Sequence, residues 1–91
     1  MATVKVKMLD ASSFEVTVQG GHTTTHIVTV SAPYAEKLTQ GRATTEQLVR
    51  RSFDFLLQRE SNTSILQSFE LSVIARYFPE YERVIRGMLS D

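Results

Sequence analysis

The 91-residue chain has no cysteine, only four glycines and two prolines, and no excess of either charge. Without cysteine there are no disulfides, thiolate metal sites or cysteine nucleophiles, and the redox compartment is left open. Ten basic and ten acidic residues cancel, so no net field draws the chain to nucleic acid or to an anionic membrane. A local patch is still allowed, because Lys5, Lys7 and Lys37 all precede the seven arginines and seven acids found from Arg42 onward. No apolar run is long enough to span a membrane. The amino-terminal run Met1-Ala2-Thr3-Val4-Lys5-Val6-Lys7 lacks the uninterrupted apolar region of a signal peptide, which makes the cytoplasm the expected compartment. A chain of this length forms one domain around one core.

What is present divides into a β half and a helical half, 1–31 and 32–91. Val4, Val6 and Met8 alternate with Thr3, Lys5 and Lys7, and Phe14, Val16 and Val18 alternate with Glu15, Thr17 and Gln19. That period of two predicts two half-buried strands joined by the turn residues Asp10 to Ser13. Gly20-Gly21 can supply the positive φ angles of a tight hairpin, and Thr24 to Ser31 is a β-branched third strand. A three-stranded antiparallel meander results. Its apolar face needs a cover, which the helical half supplies.

Pro33 opens a short connecting helix capped by Ser31 or Ala32 and stopped by Gly41. Thr44-Thr45-Glu46-Gln47 fits a capping box at the start of the main helix. On that helix Leu48, Val49, Ser52, Phe53, Phe55, Leu56 and Leu57 cover an arc of roughly 200°, leaving Gln47, Arg50, Arg51, Asp54 and Gln58 for water. So wide an arc predicts cover on two sides. Arg59 falls inside it, where a cation needs an acidic or carbonyl partner. Ser61-Asn62-Thr63-Ser64 then breaks the helix, with Ser64 placed to cap a turn holding Ile65 and Leu66. Ser68 or Glu70 is a cap for a following helix carrying Leu71, Ile74, Ala75 and Phe78, and Pro79 turns the chain into a last helix. There Tyr81, Val84, Ile85, Met88 and Leu89 line one face, and Glu82 and Arg86 form an i,i+4 pair on another. The expected fold is α+β: the meander, a long central helix, and two or three shorter helices packed as one layer. Leu56, Arg59, Asn62 and Ser64 are its expected structural residues.

Chemistry has few candidates. His22 and His26 bracket three threonines. In an extended segment, however, their backbones stand roughly 13 Å apart, too far to share an ion without further ligands. No nucleophile elbow, phosphate-cradling glycine loop or metalloprotease helix is present, and no cofactor is indicated. Asn62-Thr63-Ser64 matches a glycosylation acceptor only formally, and a helix-to-helix corner explains it better. Arg76-Tyr77-Phe78-Pro79-Glu80-Tyr81 mixes aromatics with a cation, a composition of partner-binding surfaces and of single-strand platforms. Phe78 and Tyr81 have core spacing, so Arg76 and Tyr77 are its expected exposed members. Arg50 and Arg51 share the polar arc of the main helix with Asp54, where a solvated face is the simpler reading.

The run from Val49-Arg50-Arg51-Ser52-Phe53 through Asn62-Thr63-Ser64-Ile65-Leu66 to Val73-Ile74-Ala75-Arg76-Tyr77-Phe78-Pro79-Glu80-Tyr81 resembles a family of short uncharacterised bacterial proteins. The resemblance covers mainly the helical half, and more weakly the Tyr34 to Gly41 connector. It implies a bacterial, cytoplasmic protein and carries over no activity, cofactor or site residue. Three functions follow in order of preference. The first is a non-enzymatic interaction or regulatory module, met by a protein partner or by a second copy at a sheet edge or aromatic surface. A nucleic-acid-associated regulator using Arg50, Arg51, Arg76 and Tyr77 comes second, and a small enzyme or metal-binding protein built on His22 or His26 third.

Overall fold

The computed structural model describes residues 3–89; the ends of the expected domain, 1–2 and 90–91, lie outside the described residues. The β half folds as its alternation requires except at Met8, which ends β1 exposed instead of on the apolar face. β1 (Thr3–Met8), β2 (Ser13–Gln19) and β3 (Thr24–Thr29) form an antiparallel meander. The register sets Val4 against Val18, Val6 against Val16, and Met8 against Phe14. Phe14, Val16, Val18, Val28 and Val30 are buried beneath the helices. Lys5, Lys7, Thr25 and Thr29 occupy alternate positions and are exposed. The loop from Gly20 to Thr23 spans four residues, longer than a two-residue hairpin turn. Neither glycine there has a positive φ; among the described residues that conformation occurs at Gln40 and Gly41.

The sheet has a fourth strand, which corrects the three-stranded expectation. β4 (Ser68–Glu70) lies parallel to β3, with Ile27 opposite Ser68 and Thr29 opposite Glu70. Ile27 N–H donates to Gln67 O at 2.7 Å and Leu71 N–H to Thr29 O at 2.9 Å. Ser68 and Glu70 are therefore strand residues and not helix caps. Three residues are too few for a period of two to announce itself, and a parallel strand gains its partner only after the intervening helices have crossed back.

α1 (Ala32–Thr39) starts at Ser31, whose side chain accepts from Tyr34 N–H, and it stops where Gln40 enters the left-handed region at φ 53°. α2 (Thr45–Leu57) has the full capping box, with Gln47 N–H donating to Thr44 Oγ1 and Thr44 N–H to Gln47 Oε1. Its residues Leu48, Val49, Ser52, Phe53, Phe55 and Leu56 are buried, and Leu57 is partly so. The sheet covers one side of this arc and α4 (Tyr81–Leu89) another. Before α4 comes α3 (Val73–Tyr77), a helix of only five residues whose start carries no side-chain cap.

Two polar ties fix α4. Ser52 Oγ donates to Leu48 O at 2.7 Å, so the fully buried Tyr81 hydroxyl donates in turn to Ser52 Oγ at 2.6 Å. Glu82 reaches across to α1, where Tyr34 Oη donates to it at 2.8 Å and Lys37 Nζ lies at 3.1 Å. The leading partners of Glu82 are thus on another helix, and the Arg86 expected one turn away adds a weaker attraction.

Candidate functional site

Where α2 ends, the chain turns in a single 3-10 turn, Asn62–Ser64. Ser64 closes this turn, with its N–H on Ser61 O at 3.0 Å, and does not cap a later one. Asn62 ties the turn to the sheet: Nδ2 donates to His22 O at 2.7 Å and to Thr24 Oγ1 at 2.9 Å. A carbonyl can only accept, so the orientation of the Asn62 amide follows. The same logic assigns His26. Its Nδ1 lies 2.7 Å from Leu66 O and must carry the proton there, and Nε2 is bonded to the Thr24 hydroxyl at 2.9 Å. His26 is buried, its ring 5.4 Å from that of Phe53. A histidine bonded at both nitrogens and sealed under a helix has no lone pair to offer a metal. Among the described residues no three His, Asp or Glu side chains gather as a metal site, and His22 lies on the exposed loop before β3.

Arg59 closes the end of α2. Its guanidinium sits 3.6 Å above the Phe55 ring, donates to Phe55 O at 3.2 Å and pairs with Glu80 at 3.4 Å. The side chain is 25% exposed, so the pair is a partly screened clamp. Glu80 is held below the usual carboxylate range, first by its own backbone N–H and then by Arg59. Phe55 also meets Phe78 and Tyr81 edge-on, at 5.8 and 5.2 Å between ring centres. Phe78 is thereby pinned at the turn into α4.

These ties shape a groove of about 380 Å³ between the end of α2, the corner, β4 and α3. Leu56, Ile65, Phe69, Ile74 and Phe78 form its walls, and among the described residues Glu60 is its one charged lining residue. Leu66 and Tyr77 stand at its rim, 49% and 68% exposed. The His26 bond to Leu66 O holds one rim and α3 carries the other. Chemically, this is an apolar receptacle with a single acid and no nucleophile paired to a base.

The structure does not bring the four nucleic-acid candidates together. Arg50 Nη1 donates to Val4 O of β1 at 2.8 Å, and Arg51 lies 3.5 Å from Asp54. Arg76 and Tyr77 belong to α3, beside β4. The strand order β1-β2-β3-β4 puts those strands at opposite edges, about 14 Å apart across three strand spacings. Of the expected interaction residues, only Tyr77 lines the groove. The sequence places Leu66 in a turn and Ile74 on a helix and does not single out Phe69, because no helical or strand period links the three into one surface. An apolar residue directly after a polar corner was the one available signal for Leu66.

A scan against protein-family models, a search of curated proteins and a search of solved structures each return no match to the chain. The family resemblance therefore rests on the sequence pattern alone.

Proposed function

We propose that the protein is a small non-enzymatic interaction module of the bacterial cytoplasm, and that the groove beside β4 is where it meets a protein partner. The observation that carries this reading is the apolar receptacle itself, with Leu66 and Tyr77 left in solvent at its rim. Exposed leucine and tyrosine around a concave apolar surface are the makings of an anchor site. The partner's anchor is an apolar side chain presented beside a basic group, because Glu60 is the one charge in the lining among the described residues. A helix carrying that pair suits a groove of this kind.

The test is affinity capture with the native chain and with Leu66→Asp and Tyr77→Asp, each checked for an unchanged melting temperature. The proposal expects one partner to be retained by the native chain and lost by both variants. Capture that ignores both substitutions removes the groove from the interaction. Sedimentation across a wide concentration range tests the second copy as occupant, which predicts a dimer that Leu66→Asp dissolves.

A further inference from the structure

β1 is the long free edge of the sheet, and its bonds to β2 decide which of its backbone groups stay unused. Leu9 N–H donates to Ser13 O at 2.8 Å, and bonded and non-bonded pairs alternate along an antiparallel ladder. With Lys7 opposite Glu15 and Lys5 opposite Thr17, those residues turn their N–H and C=O groups toward β2. Val4, Val6 and Met8 turn theirs to the open edge. The Arg50 bond to Val4 O, at 2.8 Å, agrees with this direction and occupies that carbonyl. Among the described residues nothing else bonds the N–H and C=O groups of Val6 and Met8, which are left for another strand.

Side chains along the edge divide by face. Lys5 and Lys7 are exposed on the side away from the helices, whereas Val4 and Val6 pack against the core. Below the edge an open cleft of about 430 Å³ is lined by Val4, Arg51, Asp54, Leu57, Gln58 and Met88. A strand laid against β1 would set one row of side chains beside the lysines and the other above Leu57 and Met88. A second β1 is a poor occupant. Paired about Val6 it sets Lys5 against Lys7, and paired about either lysine it sets that lysine against itself; like charges directly opposite are destabilising. Pairing about Val4 or Met8 avoids this but overlaps only an end of the strand, and Val4 O is already taken by Arg50. The same lysines favour a strand of negative charge, Lys5 more than Lys7, which already has Glu15 opposite it on β2.

We infer that β1 is a strand-addition site for an extended acidic segment of a partner protein. Acidic side chains at alternate positions meet Lys5 and Lys7, and apolar ones between them cover the Leu57 and Met88 cleft. Main-chain bonds to Val6 and Met8 supply affinity, and the alternating surfaces supply selection. The site lies at the edge opposite the groove and stands independently of it.

The test uses the full chain and three blocked nine-residue peptides: alternating Glu and Val, alternating Lys and Val, and the acidic peptide N-methylated at alternate amides. Binding is read by fluorescence anisotropy, and hydrogen exchange of the Val6 and Met8 amides by NMR. The acidic peptide is expected to bind and to slow exchange at Val6 and Met8. Lys5→Glu with Lys7→Glu is expected to weaken it roughly tenfold without moving the melting temperature, and N-methylation to abolish binding. The inference is overturned if the acidic peptide fails to bind, or if the basic or N-methylated peptide binds as well. It is equally overturned if binding leaves Val6 and Met8 exchange unchanged. Protection that grows with protein concentration alone, marking a second copy, or that comes from a single-stranded oligonucleotide instead of the acidic peptide, also overturns it.

Discussion

The two edges of the sheet deal with exposed backbone in different ways. β4 is three residues long and is held by side-chain ties behind it: Asn62 to Thr24 and His22 O, and His26 to Leu66 O. β1 is six residues long and is guarded by Lys5, Lys7 and Arg50. Charge and shortness are both established ways of discouraging edge-to-edge pairing. The difference lies in what each leaves behind. The short edge ends in an apolar groove suited to side chains, and the long edge keeps a row of main-chain groups suited to a strand.

The largest effects are expected on the β4 side. Leu56 is 3% exposed and lines the groove, so Leu56→Ala is expected to cost about 2–5 kcal/mol in denaturant unfolding. A loss below about 1 kcal/mol would mean that the site collapses freely and that the groove is not rigidly walled. Next comes the tether. Asn62→Ala removes both bonds from the corner to the sheet, with an expected cost of about 1–3 kcal/mol. Its local signature is sharper than its magnitude: exchange should quicken at the Ile27 and Leu71 amides, which close β4 onto β3, and stay unchanged between β1 and β2. Uniform quickening would show that the edges are not independent.

Arg59→Ala is expected to cost about 1 kcal/mol, because it removes the stack on Phe55 and a partly screened pair. Arg50→Ala, at the other edge, should cost less than about 0.5 kcal/mol. Equal losses would erase the distinction between a clamped corner and a charge-guarded strand.

The smallest effect is a control remote from both edges. Glu82 is held below its ordinary value of 4.5, first by the Tyr34 hydrogen bond and then by Lys37. The unfolded chain therefore takes up this proton first as pH falls. Its stabilisation is complete above about pH 4.5 and disappears as pH drops through the lower folded value. Glu82→Gln should flatten the acid limb of the stability profile, and an unchanged limb would place the linkage elsewhere. Burial raises the phenols of Tyr34 and Tyr81, which gives them the opposite sign. Their contribution is full below about pH 10 and is lost as pH rises beyond it.

The elements that sequence alone determined are those whose signal is local and repeated. The alternation in β1 and β2, the Thr44 capping box and the wide apolar arc of α2 each set many residues by one period, and the α+β class follows from them. Tyr77 could also be read as an exposed aromatic, because its neighbours Phe78 and Tyr81 carry the core spacing. The tertiary structure alone decided β4, the groove and the role of His26. Ser68 to Glu70 is a strand only because β3 lies beside it, and His26 is a structural residue only because Leu66 O and Thr24 meet its two nitrogens. Partners 40 residues apart in the chain leave no local period. Their hydrogen bonds become favourable only once the helices between them have packed and removed the competing water.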